Sequence, residues 1–307
     1  MELFVNNETD KNLVSFEEWK QRMESIKSSI KSSELAENKV VENEDDCIFN
    51  VSESLVDAVS SRARSRLGIF FSGGVDSTTL AFLCKQIGIK FSCYSVGLSD
   101  SQDLEWSKRI SRYYDFDLIY KEYTLDEAED IIKRSASLLL PKVNAVSENN
   151  NPAVTVGVGS VIMAARELSE NNYFFSGLGS EEIFAGYERH ALAKDINSEC
   201  WNGLVNMWSR DLVRDFTLCK ALKMDVATPY LDKDLITDAM KVPGHFKIVS
   251  EVKKMILRKA AINLGLDEEF AMRPKRAAQY GSGFDKAIEK LASRKGLNKG
   301  DYLRGLV

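Results

Sequence analysis

The sequence predicts an α/β protein built on a doubly wound parallel sheet, with a helical C-terminal lobe. From Leu67 to Phe175, short apolar runs alternate with segments of helical periodicity. Strand and helix in alternation give parallel strands joined by helical crossovers. After about Ile183 only helical periodicity is apparent, interrupted near Pro229 and Pro243, which predicts the lobe.

The elements of the sheet follow one another along the chain. Its strands are predicted at Leu67–Phe71, which is expected to be buried, and at Phe91–Val96, Leu118–Tyr123 and Tyr173–Phe175. The helices between and around them are predicted at Thr78–Ile87, Leu104–Tyr113, Ala128–Leu139 and Val154–Leu168.

The first 46 residues are poor in large apolar side chains and rich in Glu, Asn, Lys and Ser. Within them Phe16–Ile30 predicts a short amphipathic helix, and Glu34–Asp46 predicts an acidic linker. A further helix is predicted over Val51–Arg66. The domains expected from these patterns are an N-terminal extension (1–50), a ligand-binding sheet (51–190) and a helical lobe (191–307).

Composition excludes several classes of protein. The 307 residues are 44% hydrophobic and 28% charged, as in an ordinary globular protein of one large or two smaller domains. A net charge of −5 argues against a nucleic-acid backbone as partner. No apolar run long enough for a membrane span and no signal peptide are visible. Five widely spaced cysteines without a CxxC pair predict a cytoplasmic protein with reduced thiols.

A glycine-rich loop lies where the first strand turns into the first helix. It consists of Phe71, Ser72, Gly73, Gly74, Val75, Asp76 and Ser77. Two glycines let the backbone approach a ligand and direct amide groups at it, and the helix N-terminus favours negative charge. A Gly-Gly pair alone can be a plain turn, but the full pattern between strand and helix favours a phosphate or pyrophosphate site. No GxxxxGK[ST] occurs, which excludes a Walker-A loop.

This loop closely resembles the pyrophosphate loop (PP-loop) of the ATP pyrophosphatases, which cleave ATP between its α and β phosphates and form adenylates. Later segments resemble the asparagine synthetase family in the same order, from about Leu55 to Leu291. These segments are Tyr94–Gly97 with Asp103-Leu104, the run Phe175–Tyr187 (FSGLGSEEIFAGY), Thr228–Asp232 (TPYLD), and Arg273-Pro274-Lys275 followed by Gln279–Gly283 (QYGSG). The resemblance implies a sheet of PP-loop (adenine nucleotide alpha hydrolase-like) type.

The resemblance also implies a set of site residues. ATP and Mg²⁺ are the implied cofactors, with Asp76 and Glu181 as metal ligands. Lys275 and Asp76 are the implied catalytic residues, and Lys275 is the cation that would stabilise the adenylation step. Lys254 and Arg258 are weaker candidates to support Lys275. The implied nucleotide-binding residues are Phe71, Ser72, Gly73, Gly74, Ser77, Val96, Ser176 and Gly177.

Two features depart from the family pattern. Position 2 is Glu2 and only about fifty residues precede the synthetase segment, so no N-terminal-cysteine glutaminase is expected. Free ammonia, or ammonia from a separate glutaminase, is then the expected nitrogen source. Leu178 stands where the family commonly has a glutamate between the glycines of SGxGS, and a leucine cannot act as a general base.

Three functions remain open from the sequence. The first is an ammonia-dependent synthesis of asparagine from aspartate. The second is a PP-loop ligase for another carboxylate or a carrier substrate. The third is a nucleotide-binding homologue without the complete reaction, although Asp76 and Lys275 in their motifs speak against it. Asn144–Asn149 and Gly157–Gly159 fall in the stretch expected to line an aspartate pocket, without a distinctive binding pattern.

Overall fold

The computed structural model describes residues 12–37, 43–146, 150–274 and 277–307. They form one five-stranded sheet, a two-stranded hairpin and many helices. The strands are β1 Leu67–Phe70, β2 Phe91–Leu98, β3 Leu118–Tyr123, β4 Tyr173–Phe175, β5 Asp225–Ala227, β6 Ile248–Val249 and β7 Val252–Lys253.

The α-helices surround the sheet and make up the rest of the regular structure. In chain order they are α1 Phe16–Glu37, α2 Glu44–Ser60, α3 Val75–Gln86, α4 Gln102–Tyr114, α5 Leu125–Asn144, α6 Pro152–Glu167, α7 Ser180–Ile183, α8 Glu188–Leu192, α9 Ile196–Met207, α10 Val213–Ala221, α11 Lys233–Lys241, α12 Gly244–Lys247, α13 Met255–Asn263, α14 Glu268–Ala271, α15 Ala278–Gly281, α16 Phe284–Arg294 and α17 Lys299–Arg304. A π-helical turn spans Trp208–Leu212, and a 3₁₀ turn spans Pro229–Leu231.

The sheet has the order β3-β2-β1-β4-β5. β1 pairs in parallel with both β2 and β4, and β2 pairs in parallel with β3. The chain therefore runs outward from β1 to β3 and then returns to the other side of β1. This reversal creates a switch point between β1 and β4, and ligands of doubly wound sheets bind outside the strand ends at such a point.

The chain divides into two compact units that are each discontinuous in sequence. The sheet unit comprises residues 64–175, 209–226 and 273–307, and the helical unit comprises residues 1–63, 176–208 and 227–272. The helical unit draws on all three predicted domain segments, and the sheet unit draws on two of them. The predicted division at residues 50 and 190 stays a prediction.

The core of the sheet unit lies between β2 and helices α5, α6 and α16. Glycines allow its layers to approach closely. A Cβ on Gly68 of β1 would lie 2.5 Å from the ring of Phe174, and that ring stacks on Phe70 with centroids 4.6 Å apart. A glycine is therefore required at position 68 of this buried strand, because the ring of Phe174 occupies the space that a side chain would need.

The helical unit secures α1 with two tryptophans. Trp19 is fully buried and donates its indole N–H to the carbonyl of Leu204 at 2.8 Å. Trp208 donates to the carbonyl of Val14 at 2.8 Å, and its ring lies 5.6 Å from that of Phe16. The fully buried Trp19 and the half-buried Trp208 each combine a large apolar area with a satisfied N–H donor, so α1 packs as part of the unit.

The predicted α/β class with a parallel sheet and a helical C-terminal region is confirmed. The four predicted strands agree with β1 to β4 within two residues. The expectation of helices alone after Ile183 is wrong at β5, β6 and β7, which have only two or three residues each. The prediction of a linker over Glu34–Asp46 is wrong at both ends, because Glu34–Glu37 belong to α1 and Glu44–Asp46 form the first turn of α2, where the helix dipole stabilises acidic side chains. Residues 38–42 lie outside the described residues.

All five cysteines are free thiols, and four of them are buried. Burial raises the pKa of Cys84 to about 12, which keeps that thiol protonated and unreactive. Across the described part of the chain, no helix is both long and apolar enough to span a bilayer.

Lys247 is a fully buried lysine in the helical unit. Its Nζ lies 3.7 Å from the sulfur of Met240. Burial lowers the pKa of this ammonium, and the thiol of Cys200, the Asp195 carboxylate and the thiol of Cys47 oppose that shift. Because the unfolded chain protonates this amine more readily, the unaltered protein loses stability as the pH falls below the usual lysine pKa of 10.5.

We therefore expect Lys247→Met to raise the free energy of unfolding at pH 7 by about 1–4 kcal/mol, as buried charges replaced by apolar groups often do. The gain should shrink at pH 10, because the amine of the unfolded chain is then partly deprotonated and the penalty for burying it in the unaltered protein is smaller. Urea denaturation at the two pH values measures it. Lys31→Met, at an exposed position of α1, is the control and should change stability by less than about 0.5 kcal/mol. A less stable Lys247→Met would contradict the expectation.

Candidate active site

The phosphate loop leaves β1 at the switch point of the sheet. Phe71 N donates to the carbonyl of Tyr94 at 2.9 Å, which continues the pairing of β1 with β2 by one residue. The carbonyl of Phe71 accepts a bond of 3.2 Å from the hydroxyl of Ser107 in α4. The backbone is therefore fixed on both sides where the loop begins.

Gly73 passes through the left-handed region of the backbone map, with φ +67°. A Cβ at this position would lie 3.0 Å from Ser107 N and 3.1 Å from both the carbonyl carbon and the Cβ of Trp106. Two of these three atoms belong to the α4 backbone and cannot move away as a side chain does. The loop thus packs directly on α4, and only glycine fits.

The remaining loop residues bind one another. Ser72 N donates to Ser77 Oγ, Gly74 N donates to Ser72 Oγ, and Ser77 Oγ donates to Gly74 O, each at 3.3 Å. Gly74 caps α3 without a side-chain bond, and Asp76 is the second residue of that helix. The predicted residues from Phe71 to Ser77 therefore lie together in one turn, at a helix N-terminus that attracts anions.

Thr78 follows this turn and is fully buried. Its hydroxyl oxygen has no hydrogen-bond partner among the residues that the structure describes. A buried hydroxyl without a partner is costly. Together with the close-packed Gly73, it fits a loop that takes a hydrogen-bonding ligand such as phosphate.

A buried guanidinium supports the loop from the C-terminal part of the sheet unit. Arg273 donates from Nη1 to the carbonyl of Ser72 at 2.6 Å and from Nη2 to Asp103 Oδ1 at 2.7 Å. Its guanidinium carbon lies 5.3 Å from the centre of the Trp106 ring. Arg273 and Asp103 are both about 4% exposed, so their charges stay paired away from water.

The QYGSG segment is bound to the end of β2. Leu98 N donates to the carbonyl of Ser282 at 2.8 Å, and Ser101 Oγ donates to the carbonyl of Gly281 at 3.0 Å. A Cβ on Gly281 would collide with the Asp103 carboxylate. Lys275, the predicted catalytic cation, and Arg276 lie outside the described residues. Val96 is buried in the core, opposite Lys121 of β3.

The second signature forms a turn that belongs to the helical unit. Ser176 N donates to the carbonyl of Ala227 at 3.0 Å, and Leu178 N donates to Ser176 Oγ at 3.2 Å. The carbonyl of Gly177 accepts from Ser180 N at 3.3 Å. Ser176 and Gly177 are thus brought together with the start of α7, which carries Glu181.

Glu181 and Glu182 have different surroundings. Glu181 pairs with the buried ammonium of Lys254 and keeps 17% of its side chain exposed. Glu182 is 1% exposed, and its Cγ lies 3.4 Å from where a Cβ on Gly203 of α9 would be. Only Glu181 presents part of its side chain to solvent, whereas Glu182 is enclosed against α9.

A comparison with protein families matches the asparagine synthase model to residues 50–197 and 193–304. These two segments cover most of the chain. This chain belongs to the asparagine synthase family. The family uses ATP, and its match includes both the phosphate loop and the second signature.

Individual relatives agree with the family match. A Methanocaldococcus jannaschii protein provisionally named asparagine synthetase [glutamine-hydrolyzing] 1 is 28% identical, over 80% of this chain and 51% of that protein. The nodule asparagine synthetase [glutamine-hydrolyzing] of Pisum sativum is 25% identical, over 63% of this chain and 35% of that protein. The chain thus spans about half or less of the length of these relatives.

Among solved structures, one of NMN synthetase from Francisella tularensis is similar over 86% of this chain and 92% of that chain. Its TM-score is 0.40 and its sequence identity 12%. At that level the likeness says nothing about the reaction of this asparagine synthase family member.

Three residues of this family member, Asp103, Arg273 and Lys254, make contacts in the site that the sequence did not predict. Asp103 and Arg273 were noted within motifs, but their mutual pairing and the bond to Ser72 were not expected. Lys254 was expected to support Lys275, whereas the structure pairs it with Glu181. Arg258 donates to the carbonyls of Lys253 at 2.9 Å and Ala271 at 2.5 Å, so its described contacts are structural.

The glycines expected near an aspartate pocket serve helix packing in the described structure. A Cβ on Gly157 would lie 2.9 Å from the Cβ of Gln279, and a Cβ on Gly159 would collide with Leu139 of α5. Residues 147–149 of the other expected stretch lie outside the described residues. The acid-binding side of the site therefore stays a prediction.

Proposed function

We propose that this chain activates a carboxylate with ATP and then forms an amide, and that its reaction is the synthesis of asparagine from aspartate and ammonia. The observation that supports this most is the geometry of the phosphate loop. It leaves the sheet at the switch point, takes a left-handed turn at Gly73 that only glycine fits, and continues directly into α3. Membership of the asparagine synthase family supports the same class of reaction.

In the proposed first step, a substrate carboxylate oxygen attacks the α-phosphorus of ATP. The bond from that phosphorus to the bridging oxygen breaks, and pyrophosphate leaves with its electron pair. The amide groups of Ser72, Gly73 and Gly74 and the hydroxyl of Ser77 are the proposed contacts of the departing phosphates, and the 3.3 Å bonds among these loop groups would open to receive them. Lys275 is the proposed cation that stabilises the charge developing there. The main chain of Phe71, Val96, Ser176 and Gly177 is proposed to hold the nucleoside.

Asp76 and Glu181 are the proposed ligands of a magnesium ion that enters with ATP. Their hard carboxylate oxygens suit Mg²⁺, which binds through one or two carboxylates, phosphate oxygens and water. Among the described residues, no group of three His, Cys, Asp or Glu side chains is arranged to hold a metal. Two carboxylates suit an ion whose other ligands are phosphate oxygens and water. The bound ion would neutralise part of the phosphate charge.

In the proposed second step, ammonia attacks the acyl carbon, AMP leaves, and the new amide nitrogen loses a proton. Leu178 cannot accept that proton. The AMP phosphate leaving the acyl carbon is itself a base, so the step does not require a side chain at this position. Relatives are named as glutamine-hydrolysing; for this chain we propose ammonia, free or supplied by a separate glutaminase, as the nitrogen donor.

We expect the protein to convert ATP to AMP and pyrophosphate, because the loop lacks a Walker lysine and resembles the PP-loop. Pyrophosphate release is measured with a panel of amino acids and other carboxylic acids, with and without ammonium, and the nucleotide product is identified by chromatography. Aspartate-dependent release with asparagine formed supports the proposed reaction. Release with another acid instead assigns a different carboxylate, ADP as the main product contradicts the assignment, and no turnover supports a nucleotide-binding protein.

A further inference from the structure

Lys254 has an unusual environment for a lysine. It is fully buried, its Nζ donates to Ser180 Oγ at 3.0 Å, and it forms an ion pair with Glu181. A lysine is almost never fully buried unless it is paired. The side chain of Lys254 is 0% exposed, and its described contacts include the Ser180 hydroxyl and the Glu181 carboxylate, of which Glu181 is partly exposed.

The backbone that carries Lys254 is strained. Lys254 itself has φ +59°, although it precedes α13 at the cap position, where an extended conformation is usual. Ser250 and Glu251, the two residues that join β6 to β7, have φ +47° and +66°. Non-glycine residues rarely adopt such conformations. Three of them within five residues require support from the surrounding structure.

That support is present on both sides of Lys254. Lys253 forms an ion pair with Glu188, and its carbonyl accepts the 2.9 Å bond from Arg258. On the other side, Gly186 leaves room for the pair, because a Cβ there would collide with both Glu181 Oε2 and Lys254 Cε. The hairpin, Arg258 and Gly186 thus all serve to place one ammonium against one carboxylate.

We infer that Lys254 is a positioning residue that acts on nucleotide binding through Glu181. Strained residues that the surroundings hold in place occur where geometry matters for function. The ion pair restricts a flexible glutamate to one orientation, with part of its side chain left exposed. The inference rests on the proposed function, because it takes Glu181 to be a ligand of magnesium bound to ATP.

A double-mutant cycle on the binding of Mg·ATP tests this directly. Isothermal titration calorimetry is carried out on the unaltered protein, Glu181→Gln, Lys254→Met and the double variant. Each single variant should lower the affinity at least about tenfold, as loss of a residue that orients a metal ligand typically does. The double variant should bind no more weakly than the weaker single variant, because residues that act through one another are not additive.

Matched controls come from a second lysine–glutamate pair of the same helical unit. Lys259 of α13 pairs with Glu44 at 2.6 Å and is 37% exposed. Lys259→Met and Glu44→Gln should leave the Mg·ATP affinity within about twofold, since exposed pairs contribute little. Urea denaturation of every variant verifies folding. The double variant Lys254→Met/Glu181→Gln carries no unpaired buried charge, so it keeps the test available if Lys254→Met alone does not fold.

The outcomes separate the inference from the proposed function. Additive losses in the cycle, or Lys254→Met binding as the unaltered protein does, would overturn the inference. If Lys254→Met does not fold, a double variant that binds more weakly than Glu181→Gln overturns it as well. Binding of Mg·ATP without pyrophosphate release for any acid would reject the proposed reaction while the cycle still decides the role of Lys254. Absence of Mg·ATP binding by the unaltered protein would reject both.

Discussion

Asp76→Asn and Glu181→Gln are each expected to lower kcat/KM for ATP by at least about a hundredfold, equivalent to about 2.7 kcal/mol of transition-state stabilisation. Both substitutions preserve the size of the side chain and remove one negative charge. If these carboxylates bind the magnesium of ATP, the loss falls on the step in which pyrophosphate departs, where the ion neutralises charge. Steady-state pyrophosphate release at several magnesium concentrations measures the effect.

Glu182→Gln is the matched control for this pair of variants. Glu182 neighbours Glu181 in sequence but is enclosed against α9 with 1% of its surface exposed. We expect it to reduce kcat/KM less than about tenfold, with any larger effect visible as lost stability in urea. An inactive Glu182→Gln beside an active Glu181→Gln would assign the second ligand to Glu182. Full activity in both would mean that the second signature does not bind metal here.

The strands of the sheet could be located from the sequence because short segments rich in apolar and aromatic residues alternate with helical segments. Leu118–Tyr123 and Tyr173–Phe175 were predicted to the residue, although β3 is a partly exposed edge strand whereas β4 is buried throughout. β5 was missed since Asp225–Ala227 is too short to show a period. Its pairing depends instead on Asn172, whose carbonyl accepts from Asp225 N at 2.7 Å across more than fifty residues.

The supports of the phosphate loop could not be predicted from local patterns. Arg273 lies 201 residues from Ser72 and 170 from Asp103, and only the fold brings these groups together. Motif similarity marked Arg273 without indicating its partners. Its buried pairing with Asp103 fixes the position of Arg273 itself.

The hairpin of β6 and β7, which Lys254 follows directly, could not be predicted from the sequence for a different reason. Two-residue turns with positive φ favour Asn-Gly or Asp-Gly, whereas this turn has Ser250 and Glu251. Sequence preferences therefore argue against the turn that forms. The bonds to the flanking residues Lys253 and Lys254 outweigh the local preference, and such tertiary support leaves no local signal.

Gly73→Ala is expected to lower kcat/KM for ATP by about a hundredfold or more, because displacements near 1 Å in a site have effects of that size. The added Cβ would lie 3.0 Å from Ser107 N and 3.1 Å from the carbonyl carbon of Trp106. Since these atoms belong to α4, the loop must move away from the helix. The amide groups proposed to contact phosphate then lose their positions. Pyrophosphate release and calorimetric binding of Mg·ATP measure the loss.

Gly88→Ala separates this displacement from backbone strain. Gly88 also has a positive φ, +75°, but a Cβ there would meet no atom within 4 Å. Both alanines thus carry the strain of a left-handed residue, about 1–3 kcal/mol, and only Gly73→Ala adds a collision with α4. We expect Gly88→Ala to lose stability in urea and keep its activity within about twofold, because Gly88 lies at the exposed C-terminal end of α3. Equal activities for the two variants at equal stability would show that the close approach of Gly73 to α4 does not hold the loop in its binding geometry.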